Sequence, residues 1–96
     1  GVPEDNATAV MWYTKAAERG NVQAQTNLGY MYGNGEGVPE NDVIAYMWYN
    51  LAAAKGNEIA KGNKDKITKI MTAADVSKAQ ELSRVCLAQN YQNCGY

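Results

Sequence analysis

The sequence predicts an all-α fold, an α/α solenoid of helix–turn–helix repeats closed by a C-terminal helix. Three observations carry that prediction. The chain repeats itself 36 positions apart: Gly-Val-Pro-Glu stands at 1–4 and again at 37–40, and Met11-Trp12-Tyr13 returns as Met47-Trp48-Tyr49. Both copies space their apolar residues at i, i+3, i+4, i+7 and i+8, one stripe of an α-helix. Glycine and asparagine stand where these helices must end and the next begin. A fixed period in this range marks a repeat array, whose units bury their stripes by stacking.

The elements follow in order. Asp5 or Asn6 caps a first helix whose stripe is Ala9, Trp12, Tyr13, Ala16 and Ala17. Gly20 supplies a left-handed end, and Asn21 caps the second helix at once. Ala24, Leu28, Met31 and Tyr32 form its stripe, with Gly29 beside them. Residues 1–36 are thus one unit. Paired alanines opposite the rings of Trp12 and Tyr13 let two helices approach while the rings fill the gap. On this reading Trp12, Tyr13, Trp48 and Tyr49 are largely buried between helices.

The second unit, 37–71, repeats the first helix in Ala45, Trp48, Tyr49, Ala52, Ala53 and Gly56, and then decays. Lys64 stands where Leu28 stood, Asp65 where Gly29 stood, and Gly62 lowers helix propensity by about 1 kcal/mol relative to alanine. Ile59, Ala60, Ile67, Ile70 and Met71 keep an apolar face, so an imperfect helix is expected over 58–71. Thr72 with Asp75 opens a fifth helix through 89, with Val76, Ala79, Leu82 and Cys86 as its stripe. It is expected to cover the exposed end of the last hairpin, with 90–96 as a tail.

The stretch YMYGNGEGVPEND (30–42) raises a phosphate-binding reading, because Gly33, Gly35 and Gly37 alternate. Such a loop needs amides at a helix N-terminus, usually after a strand, and the best-known form ends in Gly-Lys-Ser/Thr. Here Gly37 is followed by Val38-Pro39, and a helix precedes the glycines. Proline has no amide hydrogen to offer. The loop reads as a turn, with Val38 packed inward and Pro39 leading into the next helix.

Composition narrows function further. Nine basic and ten acidic residues in 96 nearly cancel, which makes no electrostatic case for nucleic acid or an anionic membrane surface. No apolar run approaches the roughly 20 residues of a membrane span. The absence of histidine removes histidine-dependent triads and most zinc-enzyme sites. The carboxylates sit at caps, turns and helix ends, where they stay solvated or answer the helix dipole. No catalytic residue, cofactor or metal is expected. The chain starts at a turn, inside a repeat unit and without a signal-peptide pattern, so a piece of a longer protein is expected.

The joint pattern A…WY…AA…GN…A…LG…Y…G.GVP resembles the Sel-one-like repeat, a relative of the tetratricopeptide repeat. The first unit carries it in Ala9, Trp12, Tyr13, Ala16, Ala17, Gly20, Ala24, Leu28, Gly29, Tyr32, Gly35 and Gly37; the second carries its first helix and departs at Lys64 and Asp65. Residues 72–94 also resemble the helix that often ends bacterial members. The resemblance implies a right-handed superhelix that serves as a protein-interaction scaffold, common in bacterial envelope, secreted and signalling proteins. It implies no catalytic residues.

Cys86 and Cys94 are the only cysteines. Their number and the family resemblance suggest a disulfide; the alternative is a small buried Cys86 and a free tail thiol. A helix continuing to 94 would hold their Cα atoms about 12 Å apart, beyond the roughly 7 Å a disulfide spans. The bond therefore requires the helix to stop near Gln89 or Asn90, with Tyr91 folding onto it. It would place the protein in the periplasm or outside the cell rather than in the cytoplasm.

The leading functional reading is a concave helical surface for a protein or peptide partner. Met11 and Met47 occupy equivalent positions, and Thr14, Tyr46 and Asn50 are their companions on that surface. Methionine and tyrosine are adaptable contact residues. The competing reading packs both methionines against the adjacent helix. A second function is a structural cap of a longer solenoid whose other repeats hold the binding site.

Overall fold

The structure, a computed structural model, describes residues 5–94. The first GVPE copy and the last two residues of the tail lie outside that range. Five helices follow in order: α1 (Asn6–Glu18), α2 (Val22–Asn34), α3 (Asp42–Ala54), α4 (Glu58–Thr68) and α5 (Ala73–Ala88). No strand occurs among the described residues.

Local chemistry sets the helix ends. Each helix opens on a side-chain cap: Asp5, Asn21, Asn41, Asn57 and Thr72 accept from the amides of Thr8, Ala24, Ile44, Ala60 and Asp75. Three helices close on one motif. Beyond α1 the Asn21 and Gly20 amides donate to the Ala16 and Ala17 carbonyls, with Gly20 at φ 89°. Asn57 and Gly56 repeat this on Ala52 and Ala53, with Gly56 at φ 96°. Tyr91 and Asn90 repeat it on Cys86 and Leu87, with Asn90 taking the left-handed position at φ 55°. The paired bonds satisfy carbonyls that a helix end otherwise leaves open.

The glycine loop is a turn. Gly33 lies within α2, and Gly35 closes that helix in the left-handed region at φ 67°. Gly37 has φ 79° and passes so close to α1 that a Cβ there would overlap the Asn6 carbonyl. Val38 packs against the core as expected, and Asn41, two residues after Pro39, caps α3.

The helices pack in sequence, α1 on α2, α2 on α3 and α3 on α4, while α5 lies on α3. The central helix is therefore apolar on almost every side: Ile44 to Tyr49 and Leu51 to Ala53 are all buried. One core cluster joins Val10, Leu28, Met31, Trp48 and Leu51 with both cysteines. The other joins Ala45, Tyr46, Tyr49, Ala60, Ile67 and Ala79. The two clusters lie on opposite flanks of α3.

Two expectations need correction. Trp48 and Tyr49 are buried and Tyr13 is half-buried, but Trp12 is 65% exposed. α2 covers the Trp48 face of α3, whereas no described helix covers that face of α1. α1 instead buries Val10 and Ala17, with Ala9, Tyr13 and Ala16 partly covered. Second, α4 stops at Thr68 rather than 71. The Lys69, Ile70 and Met71 amides bond three residues back, a tightened last turn that leaves Ile70 exposed. α5 packs along α3, the first helix of the last hairpin, as a covering helix should.

Candidate interaction surface

The five residues expected to form a partner surface fall in different environments. Met11 is 58% exposed on α1. Thr14 is half-buried beside it, and its hydroxyl donates to the Val10 carbonyl at 2.7 Å. Asn50 is half-buried on α3 and accepts from Lys64 Nζ at 3.2 Å. Tyr46 and Met47 are buried, which removes both from any surface of this chain. The cause is α5: Gln80 on that helix donates to the Tyr46 hydroxyl, and Met47 shares a cluster with Cys86. Met11 and Met47 are equivalent in sequence, yet among the described residues only the second has a helix above it.

The larger exposed feature centres on Trp12. Lys15 Nζ lies 5.2 Å from the Trp12 ring centroid, a cation–π distance. Trp12, Lys15, Ala16, Arg19, Gly20 and Asn21 line an open recess of about 460 Å³. Sequence reasoning placed Trp12 in the core, although a signal was available at the repeat offset. Lys15 stands opposite Leu51, and Thr8 opposite Ile44. Two polar residues occupy positions that α3 fills with buried apolar ones.

A second recess of about 310 Å³ lies between α2, α3 and α4, with Tyr30, Asp42, Tyr49, Asn63, Lys66 and Ile70 among its lining residues. Burial pushes the Tyr49 phenol up to about 12; the nearby Tyr30 adds to the rise and a hydrogen bond with Asn63 opposes it. Near neutral pH this phenol keeps its proton and serves as a hydrogen-bonding group. Two carboxylates shift, and both go down. Asp5 is held low by its bonds to Thr8, and Glu81 by its bond to Arg84. A general acid at neutral pH needs the opposite shift.

The cysteines are joined, Cys86 to Cys94, with Cα atoms 5.0 Å apart. α5 stops at Ala88, and Asn90, Tyr91 and Asn93 all take left-handed backbone as the tail reverses. Tyr91 packs against the cluster that holds Cys86 of α5 and also lies beside Gly20, with Lys55 Nζ 5.0 Å from its ring centroid. Gln92 Nε2 donates to the Glu18 carbonyl at 2.7 Å. The tail thus fastens the end of α5 to the turn between α1 and α2.

No helix is long and apolar enough to cross a membrane, and no cluster of three histidine, cysteine or acidic residues that could hold a metal occurs among the described residues. No curated protein matches the chain. The model of the Sel1 repeat matches residues 1–21 and 22–57. Both matches end on the Gly-Asn pair, at Asn21 and Asn57, so 1–21 corresponds to the closing part of the second match. Repeats of this kind are helical and generally mediate protein–protein contacts. With more than half of its length matched and with five helices, the chain belongs to the Sel1 repeat family.

Proposed function

We propose that this chain is a non-catalytic protein-interaction module that works in an oxidising compartment, the periplasm or the outside of a bacterial cell. The observation that carries the reading is Trp12. A tryptophan at 65% exposure sits beside Met11 on a helix whose repeat counterpart is buried. Tryptophan, methionine and arginine are enriched where proteins meet. The closed disulfide supports the compartment, because such bonds persist there and are rare in the cytosol. Of the surface read from the sequence, Met11 and Thr14 remain candidates on α1, and Asn50 stands apart on α3.

A structural role as the closing end of a longer solenoid has its own support. α5 and the disulfide-bonded tail cover α3, and the tail is tied back to α1. The test is affinity capture on the intact, oxidised chain from extracts of its native compartment, followed by rebinding of each captured protein in purified form. A saturable complex is expected. No rebinding by any purified protein favours the structural role.

A further inference from the structure

We infer that the recess between α2, α3 and α4 binds an extended peptide segment of another protein, in which one apolar residue stands between a basic and an acidic one. This site is separate from the α1 face, so either reading can fail without the other. α3 gives the recess Asp42 at one end and Tyr49 at the other; α2 adds Tyr30 and Gly33, and α4 adds Lys66 and Ile70. Asp42 and Tyr49 stand two turns apart on α3, about 10 Å along the helix axis. That is the length of about three extended residues.

Two features of the recess point to a ligand. Gly33 lies inside α2 without a left-handed φ, and a Cβ there would meet Ala45 and Ile67 at 3.6 and 3.9 Å, ordinary contact distances. Helix propensity favours alanine at such a position. Neither the backbone nor the packing asks for glycine; its missing side chain leaves the recess open. The second feature is Asp42. Its Oδ1 is buried and accepts no hydrogen bond among the described residues. A buried carboxylate oxygen needs a donor, which a long basic side chain supplies. Lys66 shares the recess and forms no ion pair among the described residues. It repels a segment of purely positive charge, as Asp42 repels one of purely negative charge, and it pairs with an acidic residue. Tyr30 and Ile70, both exposed, offer apolar cover to the side chain between the two charges.

The probes are three peptides with blocked ends: Arg-Leu-Glu, Arg-Leu-Arg and Glu-Leu-Glu. Each is titrated at low salt into the intact, oxidised, isotope-labelled chain and followed by two-dimensional NMR. The Arg-Leu-Glu peptide is expected to shift the Gly33 amide signal to saturation and to bind at least fivefold more tightly than either of the others. Asp42→Asn should erase its advantage over Glu-Leu-Glu, and Lys66→Glu should move the preference to Arg-Leu-Arg. Gly33→Leu should fill the recess and abolish binding. Gly33→Ala should weaken binding while melting no lower than the parent, and it carries the test if Gly33→Leu unfolds. Trp12→Ala should leave peptide affinity unchanged. Equal affinities, no saturable shift at Gly33, binding untouched by both Gly33→Ala and Asp42→Asn, or a Gly33→Ala chain less stable than the parent would each overturn the inference. Loss of peptide binding in Trp12→Ala would overturn it too, by placing the peptide on α1.

Discussion

Gly29 on α2 lies against the ring of Tyr49 on α3, so near that a Cβ added there would stand 2.6 Å from Cδ1 and Cε1 of the ring. The missing side chain is what lets the two helices approach with Tyr49 buried between them. Gly29→Ala gains about 1 kcal/mol of helix propensity, yet it forces a ring with nowhere to go. The net expectation is a loss of about 1–3 kcal/mol in urea unfolding. Gly62 on α4 is the control: it is exposed, and a Cβ there meets nothing within 4 Å. Gly62→Ala should stabilise by up to about 1 kcal/mol. Equal effects at the two glycines would contradict the packing.

The two tryptophans should respond in opposite ways to truncation. Trp48 is fully buried, so Trp48→Ala should cost about 3–5 kcal/mol. Trp12→Ala should change stability by less than about 0.5 kcal/mol. Acrylamide quenching gives a second readout: one accessible and one shielded population, with the accessible one lost in Trp12→Ala.

How legible these features were depended on how local their causes are. Asn21, Asn57 and Thr72 cap helices through atoms three residues away, and Gly20 and Gly56 act on their own turn, so their roles were readable in the sequence. Gly29 was readable as part of the motif, but its partner Tyr49 was not. Trp12 and Trp48 sit in the same Met-Trp-Tyr triplet and have opposite fates, because a neighbouring helix and not the triplet decides burial. Lys15 and Thr8 were the only local hints. Tyr46 and Met47 were misplaced for the same reason: the path of α5 along α3 is a tertiary fact.

Reducing the disulfide should loosen the tail first. In the chain-entropy model a loop this short contributes about 2–3 kcal/mol. Thermal unfolding with and without a thiol reductant should show that loss. Amide exchange should rise at Tyr91 and Gln92, and at the α1–α2 turn they cover, before it rises in α3. Unchanged protection at Gly20 and Asn21 would show that the tail does not hold that turn.

Stability should fall in strongly alkaline solution through Tyr49. Its phenol ionises at about 12 in the fold, against an ordinary value of 10.0 in the unfolded chain. Below pH 10 both states keep the proton and the shift has no effect. From pH 10 to about 12 the unfolded chain releases its proton first, so unfolding becomes easier as pH rises. Tyr32 is shifted in the same direction by burial. Stability measured by denaturation between pH 8 and 12 should fall less steeply in Tyr49→Phe than in the parent. Identical slopes would remove Tyr49 as the cause.

The central claim is that this repeat chain meets its partner through the face of α1 that no other described helix covers. Its most direct measurement is the pair of indole N–H signals in a two-dimensional NMR spectrum of the intact, oxidised chain, recorded while a captured and purified partner is added. The Trp12 signal should shift or broaden to saturation at the stoichiometry of the complex, and the Trp48 signal should hold its position. A complex that forms while the Trp12 signal stays unmoved would contradict the account.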